Sequence, residues 1–365
     1  MRIIPNNLQR QYEMHACEYE EKALHILRKG WYVLGDEVAA FEREFASYTG
    51  VAYCVGVANG LDALWISMRL MGIGAGDEVI IAANAYIACV MSITINGATP
   101  VFVEPDIYNN IDPERIEAVI TRKTKAVMPV HLFGQSCDME TIMEIAGRHG
   151  LMVIEDCAQS HGTMWKGRMT GSFGDAGCFS FYPTKGLGAF GDAGAIVTND
   201  PALADKVRVF RNYGSRERYK NEIIGTNSRL DELQAGLLRI RLRHLDELNK
   251  EREKIAKSYA ESITNSLIEL PKIRPGSTST WHQFTIRISV RDKLVKWLEE
   301  NGIGSIIHYP IPPYLSESYA YLGFKVGDFP ITEKYAAEIL SLPMYNSMTN
   351  EELNYITEKV NEFEG

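Results

Sequence analysis

Seven short apolar runs separated by helical patterns, between about residues 50 and 200, constrain the fold more than any other feature of the sequence. The runs do not alternate polar and apolar residues but are apolar throughout, as expected for strands covered on both faces. They lie at 51–58, 78–82, 100–104, 125–130, 151–155, 176–181 and 194–198. This alternation predicts a mostly parallel α/β sheet that binds ligands at the carboxyl ends of its strands.

Amphipathic helices fill the intervals between these runs. In 60–71, Leu61, Leu64 and Met68 recur at helical spacing. A second helical pattern covers 138–149, and Asp138 at its start can act as the capping residue. After residue 200 the sequence predicts a long helix over 231–259, a strand over 281–290, a helix over 291–301, a strand near 303–308, and helices near 332–340 and 350–363. We therefore expect a large α/β domain over 1–250 and a smaller C-terminal α+β domain over 251–365.

Charge and cysteine content exclude several classes of protein. The 365 residues include 38 basic and 47 acidic side chains, a net charge of −9, which argues against nucleic-acid binding because such proteins usually carry a basic patch. Six cysteines without any CxxC pair predict free thiols in a reducing compartment and no metal site.

The uncharged stretch 79–103 requires a check for a membrane span. It contains Asn84, Asn96, Gly97 and Pro100, so two buried strands joined by a helix explain it better. The N-terminus has no apolar run of signal-peptide length. We therefore expect a cytoplasmic protein that does not bind membranes.

Lys185 follows the sixth apolar run and precedes a segment rich in small residues. A lysine in a loop is usually solvated, but seven of the ten positions after Lys185 are Gly or Ala, which allows the backbone to approach a ligand closely. A desolvated lysine has a lowered pKa and is a candidate for Schiff-base chemistry. The GxGxxG pattern from Gly186 to Gly191 leads into a strand, and Arg211 stands where a dinucleotide site needs an acidic residue, so we interpret that match as accidental.

Asp156 comes directly after the fifth apolar run, in the sequence Glu155-Asp156-Cys157-Ala158-Gln159. A lone aspartate there often only caps the next turn. If Lys185, 29 residues later, forms a Schiff base, Asp156 has a possible role in binding the cofactor. Pyridoxal phosphate needs an anion beside its ring nitrogen to act as an electron sink.

Two further segments fit the same cofactor. Asn59-Gly60-Leu61 joins the first strand to an amphipathic helix, and the N–H groups at such a helix start bind anions such as a phosphate. Tyr86 follows the second strand, where it could be a core aromatic or could lie flat on a cofactor ring.

The order of these elements resembles the sugar-nucleotide aminotransferases of the DegT family. A helix start that binds phosphate, a stacking aromatic, Asp156-x-x-Gln159 and Ser180-x-x-x-x-Lys185 agree in order and spacing, and the resemblance extends from Gly35 to the C-terminal helix. It implies the aspartate-aminotransferase-like fold (type I), with a mixed, mostly parallel seven-stranded sheet, and pyridoxal 5'-phosphate as cofactor.

The resemblance also implies roles for individual residues. Lys185 would be the Schiff-base lysine and proton carrier, Asp156 would pair with the pyridine nitrogen, and Gln159 would hydrogen-bond the ring hydroxyl oxygen. Tyr86 would stack on the ring. The phosphate would be held by the Ser180 hydroxyl and by the backbone of Gly60 and Leu61.

In this family, one residue of each active site comes from the neighbouring subunit, and Asn227 matches that residue. The resemblance therefore implies a homodimer with shared active sites. Arg229 of the same motif is assigned to substrate binding. One departure is visible, because Gly186 stands where the family commonly has an asparagine.

Within the family, Arg211–Ser215 and 307–314 look most like enzymes that aminate dTDP-3-keto-6-deoxyhexoses at C3, usually with glutamate as donor. His308 and Tyr309 are the candidates for sugar or diphosphate contacts, unless both only pack the small domain.

A C4 aminotransferase and a non-catalytic pyridoxal-phosphate-binding sensor remain alternatives. Lys185 argues against a 3-dehydratase of this fold, which usually has histidine there, and a nicotinamide dehydrogenase is supported only by the misplaced glycines.

Overall fold

A seven-stranded sheet dominates the computed structural model, which describes residues 1–365. The whole chain has thirteen strands, of which seven form this sheet and six form three two-stranded sheets. They are β1 (Tyr53–Val57), β2 (Glu78–Ala82), β3 (Thr99–Val103), β4 (Thr124–Met128), β5 (Met152–Asp156), β6 (Met164–Trp165), β7 (Arg168–Met169), β8 (Ala176–Ser180), β9 (Gly194–Thr198), β10 (Ser215–Glu217), β11 (Lys220–Asn221), β12 (Phe284–Arg287) and β13 (Ile339–Leu342). The main sheet has the order β1-β9-β8-β5-β4-β2-β3. Only β9 runs antiparallel to its neighbours. The predicted fold class, a mixed and mostly parallel seven-stranded sheet, is confirmed.

Eleven α-helices cover this sheet and build the smaller lobe. They are α1 (Leu8–Glu13), α2 (Ala16–Lys29), α3 (Asp36–Thr49), α4 (Gly60–Leu70), α5 (Ile87–Ile95), α6 (Met139–His149), α7 (Pro201–Phe210), α8 (Glu232–Ser262), α9 (Arg291–Glu300), α10 (Pro330–Glu338) and α11 (Asn350–Asn361). The uncharged segment 79–103 forms β2, α5 and β3 as predicted. None of the helices combines the length and apolar character that crossing a membrane requires.

The large lobe, built on the seven-stranded sheet, buries apolar residues on both faces of that sheet, whereas the small lobe, built around β12 and β13, has a core of its own. The main sheet is apolar on both faces, with Val55 and Ile154 on one side and Val127 and Val153 on the other, all almost fully buried. A second core surrounds β12 and β13 and also takes in Ile3 from the N-terminus. Helix α8 is continuous through residue 250, so the proposed division into 1–250 and 251–365 would fall inside a helix.

The small lobe contains two corrections to the sequence predictions. No regular strand forms at 303–308, where only single bridges join Ile303 to Ile3 and Ile306 to Ser341. The predicted helix 332–340 ends at Glu338, and Ile339–Leu342 becomes β13, antiparallel to β12. Proline disfavours helical geometry in the residue before it, so Pro343 helps to explain why Leu342 is extended.

A buried carboxylate fixes the end of β5, which precedes the candidate site. Glu155 is fully buried and accepts hydrogen bonds from the backbone N–H groups of Gly171, Phe173 and Gly174 at 2.7–2.8 Å. Its fourth partner is the Nε2 of His131 at 3.1 Å. Because the Nδ1 of His131 accepts from a backbone N–H, Nε2 carries the hydrogen and donates it. These bonds tie β5 to the chain that follows β4 and to the loop before β8.

We expect Glu155→Ala to lower the free energy of unfolding by about 3 kcal/mol or more, because four buried or half-buried donors lose their acceptor. Urea denaturation without added cofactor measures this change. Glu144→Ala is the matched control, since Glu144 is largely exposed and bonds only Arg148, and it should change stability by about 0.5 kcal/mol or less. Equal effects of the two substitutions would contradict the structural role of Glu155.

Candidate functional site

The carboxyl ends of the parallel strands open into a cavity of ≈ 480 Å³ between the two lobes. Eight of the predicted site residues line it: Gly60, Leu61, Tyr86, Asp156, Ser180, Lys185, His308 and Tyr309. The strand direction explains this meeting, because residues that follow parallel strands emerge at the same edge of the sheet. Gln159, Asn227 and Arg229 do not line the cavity.

Lys185 lies in a tight turn after β8. Its backbone N–H donates to the carbonyl of Tyr182 at 2.8 Å, and its side chain keeps partial exposure to the cavity. Burial lowers the pKa of its amine, and the nearby carboxylate of Asp156 opposes this shift only in part. The neutral amine needed for nucleophilic chemistry is therefore easier to reach than in a solvated lysine.

Asp156 ends β5 with its carboxylate against the cavity. Its Oδ1 accepts from the backbone N–H of Ala158 at 2.9 Å, so the expected turn-capping contact is present. Its Oδ2 accepts from the thiol of Cys89 at 2.8 Å. The carboxylate is thus held by two donors, and the same residue also lines the cavity that Lys185 reaches.

The N-terminus of α4 forms a close-fitting cradle with the end of β8. Asn59 caps this helix by accepting from the N–H of Asp62 at 2.8 Å, and Gly60 and Leu61 begin it. A Cβ on Gly60 would lie 2.5 Å from the Cβ of Ser180, so only glycine fits against that serine. The first N–H groups of a helix have no partner within it, and with a hydroxyl beside them they suit a phosphate. The cradle, Asp156 and Lys185 together fit pyridoxal phosphate.

Two tyrosines face each other on the opposite side of the cavity. Tyr86 precedes α5, is 44% exposed, and its ring centroid lies 4.9 Å from that of Tyr309. Gln159 lies behind them, where its Oε1 accepts from the N–H of Phe133 at 2.7 Å and its Nε2 donates to the Tyr309 hydroxyl at 3.1 Å. Gln159 therefore reaches the cavity only through Tyr309 in this arrangement.

Three neutral histidines surround Lys185. Burial and the charge of Lys185 lower the pKa of His308 to about 4 and that of His161 to about 3, and burial lowers the pKa of His282 well below its usual value. His308 is fixed on both sides, because Nδ1 lies 2.8 Å from the Ser341 hydroxyl and Nε2 lies 2.8 Å from the Gln283 amide. At neutral pH these rings can accept or donate hydrogen bonds without adding charge.

Sequence reasoning missed several residues of the site. His282 and Gln283 line the cavity, and their signal was two polar residues at the start of the predicted strand 281–290. Cys89 lies in the first turn of α5, three residues after Tyr86, and this closeness in sequence to a predicted site residue was its only signal.

Asn227 and Arg229 lie outside the cavity of their own chain. Asn227 is exposed and forms a single antiparallel bridge with Asn212. Arg229 donates from Nη1 to the Oδ1 of Asn212 at 3.0 Å, and its guanidinium lies 5.5 Å from the ring centroid of Tyr213. Within one chain the structure does not bring these two residues to the site.

The glycines after Lys185 lead into β9 and not into a helix, so the accidental nature of the GxGxxG match is confirmed. At Gly186, an added Cβ would meet only His161 and Asn249 at 3.8–4.0 Å. A side chain therefore fits at this position, in contrast to Gly60.

Comparison with known proteins places the chain in a family. Residues 15–361 match the DegT/DnrJ/EryC1/StrS aminotransferase family, and the chain belongs to it. It is 50% identical, over 97% of its length and 98% of the other's, to the dTDP-3-amino-3,6-dideoxy-α-D-galactopyranose transaminase of Aneurinibacillus thermoaerophilus. It is 44% identical, over 96% of both chains, to the erythromycin biosynthesis sensory transduction protein EryC1 of Saccharopolyspora erythraea.

A solved structure agrees with this assignment. Streptomyces venezuelae DesV in complex with a ketimine intermediate superposes with a TM-score of 0.97 at 43% identity, covering 99% of this chain and 98% of that one.

We expect Gly60→Ala to weaken binding of pyridoxal phosphate by about tenfold or more, since its Cβ would collide with Ser180 and displace the helix start. Gly186→Ala, where the Cβ has room, is the matched control and should bind the cofactor as the unaltered protein does. Fluorescence titration of the apoprotein with pyridoxal phosphate measures both affinities. If Gly186→Ala lost cofactor binding while Gly60→Ala kept it, the proposed cradle would be contradicted.

Proposed function

We propose that this protein is a pyridoxal-phosphate-dependent sugar-nucleotide aminotransferase. Its reaction would convert a dTDP-3-keto-6-deoxyhexose to the dTDP-3-amino-3,6-dideoxyhexose with glutamate as amino donor. The observation that carries this proposal is the meeting of Lys185, Asp156 and the Gly60–Ser180 cradle in one cavity. Each group meets one chemical requirement of the cofactor: a nucleophilic amine, an anion for the ring nitrogen and a site for the phosphate.

When bound, pyridoxal phosphate supplies an electron sink for moving an amino group between carbon atoms. The protein's own residues then hold and orient it. Asp156 would accept the hydrogen bond of the ring nitrogen, Tyr86 would cover one ring face, and Ser180, Gly60 and Leu61 would bind the phosphate. Lys185 would hold the cofactor covalently and carry the proton between the reacting carbon and its own amine.

The sugar would bind between the cofactor and the small lobe. Tyr309 faces Tyr86 there, and His308 lines the same cavity. The small number of charged side chains in this lining suits a neutral pyranose. Gln159 would reach the ring hydroxyl oxygen if Tyr309 moved from its present hydrogen bond. Arg229 would serve the substrate from the partner's side, since its own cavity excludes it.

Amination at C3 is the regiochemistry we propose, because the relative at 50% identity carries a 3-amino product in its name. A C4 aminotransferase is the alternative reaction. The sensory name of EryC1 favours testing a non-catalytic pyridoxal-phosphate-binding sensor as a second candidate. Turnover distinguishes the enzyme from the sensor.

A homodimer with shared active sites would complete the cavity. Support comes from exposed apolar side chains on loops near the polar Asn227 segment, where Tyr219 is 84% and Ile224 is 95% exposed. Trp31 and Tyr32, which precede α3, are also at least half exposed. Large exposed apolar side chains of this kind are typical of subunit interfaces. Asn227 would then reach the phosphate of the partner's cofactor.

We expect the protein with glutamate and a dTDP-3-keto-6-deoxyhexose to yield a dTDP-amino sugar, detected by mass spectrometry with fragmentation that locates the nitrogen at C3. Lys185→Ala should lower the rate by about a thousandfold or more, because it removes both the covalent attachment and the proton carrier. Amination of a nucleotide-linked 4-keto sugar, with no product from the 3-keto sugar, would support the alternative reaction. Cofactor binding without any product would support the sensor.

We expect activity to reappear when inactive Lys185→Ala chains are mixed with inactive Asn227→Ala chains. One of the two sites in a mixed dimer then draws an intact lysine from one chain and an intact asparagine from the other, which gives up to about half of normal activity per mixed dimer. Asn354→Ala, on the exposed face of α11, is the control and should be active alone. No recovery despite proven subunit exchange would place Asn227 in its own subunit's site.

A further inference from the structure

Cys89 is the side chain that donates a hydrogen bond to the Oδ2 of Asp156. Its Sγ lies 2.8 Å from Oδ2, on the third residue of α5, and the thiol is fully buried. The other oxygen, Oδ1, is bound by the backbone N–H of Ala158, which no substitution of a side chain can remove. Cys89 is therefore the one adjustable partner of this carboxylate.

The hydrogen of this contact stays on sulfur. Burial, and next the adjacent charge of Asp156, raise the pKa of the Cys89 thiol well above its usual value. The thiol consequently donates, and the Oδ2 of Asp156 accepts. An S–H group is a weak donor compared with a hydroxyl, so it orients the carboxylate while withdrawing little of its charge.

We propose that Cys89 is a positioning residue that tunes how strongly Asp156 holds the ring nitrogen of the cofactor. The inference rests on the proposed function, since it requires pyridoxal phosphate beside Asp156. The thiol and the protonated ring nitrogen compete for the charge of one carboxylate. A weak donor at position 89 leaves most of that charge to the ring nitrogen and so keeps the ring protonated.

This competition predicts opposite effects for two small substitutions. Cys89→Ser places a stronger donor on Oδ2 and should weaken the hydrogen bond from the ring nitrogen. Cys89→Ala removes the donor and should strengthen that bond, although it leaves a small void. A residue that only fills space would behave differently, because serine would then change little and alanine would be the damaging substitution.

The matched control is Cys178 on β8, directly across the sheet ladder from Asp156. Its thiol is also almost fully buried, but it donates to the carbonyl of Ala63 at 3.3 Å and lies 3.4 Å from the Ser67 hydroxyl. Cys178→Ser makes the same chemical change at similar depth without a bond to Asp156.

The test uses holoenzyme loaded with pyridoxal phosphate labelled with ¹⁵N in the ring, and follows the low-field proton resonance of the ring N–H by NMR. We expect Cys89→Ser to move this resonance upfield, Cys89→Ala to move it downfield, and Cys178→Ser to leave it in place. The kcat of Cys89→Ser should fall about three- to tenfold with an unchanged KM for the sugar, the size expected for one altered hydrogen bond to a charged group.

The possible results separate this inference from the function on which it rests. A Cys89→Ser resonance that moves no further than that of Cys178→Ser, or moves in the same direction as Cys89→Ala, overturns the tuning role while the cofactor assignment stands. If the unaltered protein binds no pyridoxal phosphate, both fail together. Should Cys89→Ala not fold, the comparison of Cys89→Ser with Cys178→Ser decides alone, since serine nearly preserves the side-chain volume.

Discussion

The common direction of six strands is the constraint on which the site depends. Because β1, β2, β5 and β8 all end at one edge of the sheet, the residues that follow them meet there although they are far apart in the chain. Gly60, Tyr86, Asp156 and Ser180 each come from a different strand end. The single antiparallel strand, β9, brings the chain back after Lys185 and closes the sheet against β1. The topology of the sheet therefore determines where the residues of the site lie.

Buried charged and neutral side chains set the electrostatic character of this edge of the sheet. Lys185 is surrounded by neutral histidines and by one carboxylate, Asp156, so its charge is balanced by a single nearby anion. Two further buried cations, Arg241 and Arg252, bind neutral oxygens, among them the carbonyls of Gly186 and Trp281. Cations that lack carboxylate partners raise the local positive potential, which favours phosphate and carboxylate groups of ligands.

The sequence predicted the sheet better than the small lobe, for a physical reason. Strands of a parallel sheet are buried on both faces and read as continuous apolar runs, so all seven were located to within a few residues. In the small lobe β13 is only four residues long and follows a helix directly, so its pattern merges with that of α10. The region near 303–308 shows the opposite error, because its apolar residues serve core packing and single bridges without forming a ladder.

The sequence alone determined the order of chemical groups along the chain: a glycine at a helix start, a tyrosine, an aspartate and a lysine, each after a strand. The tertiary structure decided which of these groups share a cavity and what else touches them. Cys89 bonds Asp156 across 67 positions, Gln159 bonds Tyr309 across 150, and Glu155 takes its partners from two separate segments. Such contacts depend on how α5 and the small lobe pack against the sheet. Packing of this kind is set by the shapes of many side chains at once, and no local pattern in the sequence encodes it.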